Sequence, residues 1–491
     1  MRHLLAAALL WLPALAAAQE ARTPTTLSLA DAIAIARERS PSYRQALNGR
    51  APAAWRVRNA WSSLVLPSVT ASGGLGYSGS GEQRFLVSTF EQSVSTISSS
   101  YDVGVAWELS GATLAQPGVA RAQRRAVEAD VAGARTALDA AVTQQYLTVL
   151  QTIENADVAR KQLERNEEFL KLAQARYAVG RSSLIDVRQA QVARGQAEVG
   201  RLRAETAVSV EKLRLFQELG VEAPVDVQLV QLSDTFALTA PTETLEQLLD
   251  LAAAQNPALN ALRARRRAAA GAVRAATSSY GPSLEVAAGW SGFTQKFTDL
   301  DPIIRTQQLD FGRQYSACLD ENQIRQNAGL PATDCSVFVW GGANEQTLRD
   351  QNSAFPFEFT RQPFQGRLTI RLPLFTNFAR PLRVAEASAQ ERDLDESVRA
   401  RALQVQTEVS QAFLNRNTAF RSIAIQDTNR TAAREQLELA QDRYRLGAGT
   451  FFELLDAQVA ALRAEYDHVS ALYEFHRAEA ALTAAVGRPL R

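Results

Sequence analysis

The sequence predicts an α+β chain made of two copies of one unit, each a hairpin of long antiparallel helices with a pair of β-strands at one end. Three observations lead there. Residues 170–193 align without a gap to residues 437–460 at an offset of 267, and 11 of the 24 positions are identical. Two stretches, 118–178 and 382–445, run for about 60 residues each with no Pro and few Gly, as long helices require. Four segments of about ten residues alternate apolar and polar side chains, the period of a strand with two unlike faces.

Composition bounds the class. The 491 residues carry 53 Lys plus Arg against 52 Asp plus Glu, and the mean hydropathy is -0.17. That balance disfavours disorder and a polytopic helical membrane protein. A net charge near zero argues against a general nucleic-acid binder. Two Cys and three His are too few for a disulfide scaffold or a histidine-built metal centre.

Residues 1–18 read as an export signal. Met1 to His3 form a basic start, Leu4 to Ala17 an apolar stretch, and Ala16-Ala17-Ala18 before Gln19 a small-residue cleavage pattern. No Cys follows the cleavage point, so no lipid anchor is expected. Nothing downstream approaches the roughly 18 apolar residues of a membrane-spanning helix. Residence in a membrane would therefore take a β-barrel, whose closed ladder satisfies every backbone group.

The first repeat is expected over 19–220, a linker over 221–242 and the second repeat over 243–491. Ser40-Pro41 corresponds to Asn256-Pro257, Leu66 to Val69 corresponds to Gly281 to Leu284, and Gly220 corresponds to Gly487. The offset grows from 215 at Leu284 to 265 at Leu374, which places an insertion of 50 residues within 293–363. A period this long is a tandem duplication, not a solenoid repeat.

Strands are expected at about 67–78, 101–111, 282–292 and 364–375. Val69, Ala71, Leu75 and Tyr77 share one parity, as do Tyr101, Val103, Val105, Trp107 and Leu109. Leu284, Val286, Ala288 and Trp290 repeat the pattern, followed by Leu368, Ile370, Leu372 and Leu374. The length suits a tilted strand crossing a bilayer. Alternation by itself fits a half-buried soluble sheet equally well, and the export signal favours the membrane. Four strands cannot close a barrel, so several chains must share one. Pro67, Pro117, Pro282, Pro373 and Pro381 are assigned to the junctions of helix and strand.

The helical hairpins are expected at about 118–219 and 382–487, with a long arm of roughly 90 Å at about 1.5 Å per residue. Leu163, Leu170 and Tyr177 lie seven apart, as do Leu437 and Tyr444, the spacing of coiled-coil packing. At the turns, Gly180 and Gly447 supply the backbone freedom of a helix end, with apolar Val179 and Leu446 before them. Asp186 aligns with Glu453, and Asp456 shares a helical face with Glu453. Two readings stay open for these acids: rings of carboxylate around a narrow mouth, or acids favoured in a first turn by the helix dipole.

Several motifs carry no chemistry. Gly74 to Gly79 match GxGxxG inside a strand with no helix behind it, so no dinucleotide site is expected. His468 and His476 lie on one helix without a second motif and read as surface or interface positions. The basic run Arg263, Arg265, Arg266 and Arg267 and the acidic cluster Glu391, Asp393, Asp395 and Glu396 read as solvated helix faces. No nucleophile, base and oxyanion site occur in a recognised motif. The expectation is a protein that is not an enzyme and uses no cofactor or metal. Cys318 and Cys335 both fall in the insertion, where an oxidising exported setting favours a disulfide over two free thiols.

The signal, the duplication, the Pro-flanked strand pairs, the long hairpins and the turn motifs Tyr177-Ala178-Val179-Gly180 and Tyr444-Arg445-Leu446-Gly447 resemble the TolC-type outer-membrane efflux proteins. The resemblance spans essentially the whole mature chain. It implies a homotrimer in which three chains form a 12-stranded β-barrel in outer-membrane lipid and an α-barrel through the periplasm. It further implies a passive exit duct of a tripartite efflux or type I secretion system, docked through a periplasmic adaptor to an inner-membrane transporter. The tips at Val179, Gly180, Leu446 and Gly447 would meet the adaptor, and Asp186, Glu453 and Asp456 would line the constriction. The insertion would be a loop, 293–363, that faces outside the cell. Gly449 stands where several relatives carry a basic residue, so a salt-bridged lock of that type is not expected. The competing reading is a surface-displayed structural or adhesive coiled-coil protein without a pore.

Overall fold

The computed structural model describes residues 26–85, 88–92, 94–353 and 355–488; the expected signal at 1–18 lies outside them. The chain divides into two compact units. One draws on residues up to Ala54 with Ala122–Arg266 and Arg392–Arg491, the other on Trp55–Arg121 and Arg267–Glu391.

The first unit is helical. Its framework comes from the parts of two 68-residue helices, Gly111–Ala178 and Ala379–Leu446, that run from Ala122 and from Arg392 onward, each followed by a 36-residue return helix, Leu184–Leu219 and Phe451–Val486. The return helices end on Gly220 and Gly487, both at positive φ. A Cβ on Gly220 would stand 2.8 Å from the Ser40 Cα, and one on Gly487 would stand 2.6 Å from Pro257 Cδ. The aligned landmarks of the two repeats are thus two contacts of one kind, in which a helix end abuts the break before a proline.

Around these contacts lie two cores. Ala32 and Ala36 of helix Leu29–Arg39 pack with Leu138, Val142, Tyr146, Val149, Leu215 and Leu219. Leu248 and Ala252 of helix Leu245–Gln255 pack with Val405, Val409, Leu482 and Val486. In the first core Tyr146 Oη lies 2.9 Å from the Leu27 carbonyl and 2.8 Å from Asp234 Oδ2. It thereby ties the long helix to the parallel pairing of Thr26–Leu27 with Gln231–Leu232. Burial, reinforced by the hydrogen bond to Asp234, raises the phenol pKa.

The second unit holds the sheet. Ser68–Ser78 pairs antiparallel with Thr96–Leu109, which pairs antiparallel with Ser283–Phe297. Beyond it the edge is formed by Thr360–Arg361 and Gln365–Arg371. The register places Val69 opposite Val105 and Val105 opposite Ala288; Val103 faces Trp290, and Val286 faces Leu368. Every apolar residue of the alternating pattern that lies within a strand therefore shares one face. Val69, Leu75, Tyr77, Leu368 and Ile370 on that face are exposed in the single chain. No helix among the described residues is long and apolar enough to cross a membrane.

Three expectations are corrected. The middle strands are longer than their alternation indicated, because Ser98, Ser99 and Ser100, polar at successive positions, pair with the glycine-rich stretch Gly74 to Gly76. Pro117 lies inside a helix, not at a junction. The helix begins at Gly111, started by reciprocal bonds between Ser110 and Thr113 at 2.8 and 3.3 Å, and Pro117 forfeits one early backbone bond. The insertion is not an open loop but carries helices Asp301–Asn327 and Gly342–Asn352. Of the surface and interface positions left open for the histidines, His476 takes the packed one, buried against Phe236 and Phe475, and burial lowers its pKa.

Candidate functional site

Both turns between long and return helices end in the same way, for a local reason. A helix leaves its last carbonyls without intrahelical donors, and a residue at positive φ lets the next amides fold back to them. Gly180 at φ 76° and Gly447 at φ 84° do this. Gly180 N donates to the Tyr177 carbonyl at 2.9 Å and Arg181 N to the Arg176 carbonyl at 2.8 Å. Gly447 N and Ala448 N repeat the pattern on the carbonyls of Tyr444 and Arg443 at 3.2 and 2.9 Å. Val179 and Leu446 are left exposed at the two tips, at 68% and 84%.

The return helices start on side-chain caps. Ser183 Oγ accepts from Asp186 N at 3.2 Å, while Asp186 Oδ2 accepts from Ser183 N at 3.2 Å. Thr450 Oγ1 accepts from Glu453 N at 3.2 Å. Asp186 is therefore held in a capping box, which supports the helix-start reading for that residue. Glu453 Oε2 lies instead 3.6 Å from Arg443 Nη2. Asp456 is exposed one turn on. A basic partner for Glu453 thus comes from Arg443, at the end of the long helix. Gly449 leaves it room: a Cβ there would lie 3.1 Å from Arg443 Cβ and 3.2 Å from Glu453 Oε2.

The structure brings the two turns together. Phe169, Ala173, Val187 and Ala190 of the first hairpin share a core with Leu437, Tyr444, Phe451 and Leu454 of the second. Across this core Arg176 donates to the carbonyls of Tyr444 and Arg445, the latter at 3.0 Å, and to Arg181 O at 3.1 Å. Its Cζ lies 4.7 Å from the centre of the Tyr444 ring. Burial raises the Tyr444 pKa, and the Asp186 charge adds to the shift while Arg176 opposes it. Reading the sequence for tips and acids passed over Arg176 and Arg443. The signal that marks them is the Arg-Tyr pair kept at both turns of the internal alignment.

The remaining candidates lie elsewhere. Cys318 and Cys335 form a disulfide joining helix Asp301–Asn327 to the turn Cys335–Phe338. Arg265 and Arg266 of the basic run are exposed and pair with Asp130 and Asp395 at 2.6 and 2.9 Å. Among the described residues no group of His, Cys, Asp and Glu is arranged to hold a metal ion.

A family model described as outer membrane efflux protein matches residues 32–221 and 339–488. The fold is similar to that of the outer-membrane channel OprN, with a TM-score of 0.70, 19% identity, and coverage of 95% of this chain and 91% of that one. It is similar to the outer membrane protein VceC from Vibrio cholerae, with a TM-score of 0.68, 17% identity, and coverage of 94% and 97%. The MtrE outer membrane channel of Neisseria gonorrhoeae, in its open state, gives a TM-score of 0.66, 19% identity, and coverage of 94% and 89%. No curated protein matches the chain by sequence.

Proposed function

The chain belongs to the outer membrane efflux protein family, and from that premise we propose that three copies form a passive exit duct with a shared 12-stranded barrel, four strands from each chain. The setting is the outer membrane, with extension into the periplasm. In this reading the duct completes a tripartite efflux or type I secretion route, and its tips at Val179, Gly180, Leu446 and Gly447 receive a periplasmic adaptor that links it to an inner-membrane transporter. The energy for export comes from that transporter, and the duct supplies only a water-filled path.

The observation that carries the reading is the exposed apolar face of the sheet, made by Val69, Leu75, Tyr77, Leu368 and Ile370. An exposed apolar patch of this kind marks a contact surface. Lipid is the fitting contact, because the opposite face carries Asp102, Glu285, Arg367 and Arg371, which suit a wet lumen. At the mouth, copies of Asp186, Glu453 and Asp456 contribute negative potential that favours cations. Arg443 offsets part of the Glu453 charge, so Asp456 is the stronger determinant. The insertion with Cys318 and Cys335 lies on the outer surface of the cell in this reading.

Single-channel conductance of the purified protein in a planar bilayer tests the proposal. A cation-preferring channel is expected, with the preference reduced in Asp456→Ala and reduced further in Glu453→Ala/Asp456→Ala. Absence of conductance under all conditions would favour a coiled-coil protein without a pore, and an unchanged preference would discard the acidic ring.

A further inference from the structure

The two turns are equivalent in sequence, yet their arginines have unequal partners. Arg176 and Arg443 are aligned at the offset of 267, as are Tyr177 and Tyr444. Each arginine donates from Nη2 to the carbonyl five residues ahead: Arg176 to Arg181 at 3.1 Å, Arg443 to Ala448 at 3.2 Å. There the equivalence ends. Nη1 of Arg176 crosses to the carbonyls of Tyr444 and Arg445, and its guanidinium covers the Tyr444 ring, which is 3% exposed.

The matching acceptors on the first turn are the carbonyls of Tyr177 and Ala178, and the matching ring is Tyr177. Among the described residues no side chain donates to either carbonyl, and the Tyr177 ring is 47% exposed. The matching donor, Arg443, has a side chain that is 61% exposed, and among the described residues beyond its own turn it reaches only Glu453 at 3.6 Å. So one contact is made once within the chain and left half-made twice. Among the described residues Arg443 Nη1 meets no acceptor at the second turn, and at the first the Ala178 carbonyl receives no donor while the Tyr177 carbonyl has only its turn amide, Gly180 N.

We propose that Arg443 docks on the first turn of a second copy of this chain, donating to the carbonyls of Tyr177 and Ala178 and covering the Tyr177 ring. The contact repeats between chains what Arg176 does within one. Its chemistry is already present in the molecule: the last carbonyls of a helix lack donors and sit at the negative end of the helix dipole, and a planar guanidinium serves both them and an aromatic face. Because donor and acceptor surfaces differ, the contact is head-to-tail and closes only as a ring. In a trimer all six tips would be linked by arginines, alternately within and between chains. The Arg443–Glu453 pair is exposed on both sides and therefore weak, so it does not hold Arg443 back. The inference rests on the ring assembly proposed above.

The test uses the full chain in detergent with its disulfide intact, and the assembly state is measured first by light scattering. Arg443→Cys/Ala178→Cys treated with a short bis-maleimide is expected to give dimeric and trimeric ladders on a denaturing gel, several-fold above either single variant. Arg176→Cys/Arg445→Cys, the equivalent pair within one chain, should cross-link without a ladder. A trimer whose ladder does not exceed that of the single variants overturns the docking and leaves the ring standing. A protein that remains monomeric overturns both. Should the cysteine pair fail to fold, the temperature of trimer dissociation decides. Arg443→Ala and Tyr177→Ala should each lower it, and together lower it no further than the larger single loss; additive losses, or no loss from Arg443→Ala, reject the contact.

Discussion

At the turns, one guanidinium does what a cap does at an ordinary helix end, but for two helices. Arg176 donates to its own turn and to the carbonyls of Tyr444 and Arg445. Hydrogen bonds from a charged donor contribute about 1.5–3 kcal/mol when well formed, and partial exposure of Arg176 sets the expectation at the lower end. Arg176→Ala should lower stability by roughly that amount in urea unfolding followed by circular dichroism. Arg176→Lys should recover only part of it, because an ammonium cannot present the same fork of donors. The histidines give a pH dependence of known sign. Burial lowers the pKa of His476 and of His468, so the folded chain binds fewer protons than the unfolded one. Stability is retained above the ordinary value of 6.5 and falls as the pH drops below it towards the lowered folded values. In His476→Phe the slope of unfolding free energy between about pH 6.5 and pH 5 should flatten. Gly180, Gly447, Asp186 and Glu453 were legible at this scale because a helix end imposes local demands. Arg176 was not, since its acceptor Tyr444 lies 268 positions away.

Among the elements, the strands were legible in outline and the insertion was not. Alternation finds a strand where both faces carry contrasting side chains, as from Tyr101 to Leu109; it fails at Ser98, Ser99 and Ser100, three polar residues in a row that pair with Gly74 to Gly76. The apolar face has a direct test. Val105→Arg places a charge at mid-strand on the apolar face and should cost about 2–4 kcal/mol if that face meets the bilayer midplane. Heat-modifiable trimer in membrane fractions should fall sharply. Asp102→Arg, on the opposite face, should leave it largely unchanged. The inserted helices depend on a covalent tie. Cys318 and Cys335 enclose a short segment with a sequence separation of 17, for which chain entropy gives about 3 kcal/mol. Cys318→Ser/Cys335→Ser should speed proteolysis within 301–352 and leave trimer yield unchanged. Equal gel mobility of native and reduced protein, with two titratable thiols, would reject the bond.

For the whole molecule the decisive quantity is what a single chain leaves uncovered. Val69, Leu75 and Tyr77 on the sheet and Tyr177 at the first turn are exposed, which is costly for an isolated chain in water and understandable for one member of an assembly. Glu453 and Asp456 are exposed acids; if they line the mouth of the proposed duct, its cation preference should weaken as ionic strength rises and the Debye length falls from about 10 Å at 0.1 M to about 3 Å at 1 M. Reversal potentials measured across that salt range provide the check. By itself the sequence determined the helical hairpins, the turns, the alternating strands and the kinship with the efflux proteins, because helix propensity, glycine placement and side-chain period act over a few neighbours and are written in order along the chain. Only the tertiary structure decided which face each strand shares with the next, that Gly220 and Gly487 abut the breaks before Pro41 and Pro257, and that Arg176 and Arg443 have unequal partners. Those outcomes depend on contacts between distant parts of the chain, which close only after the helices and strands have packed.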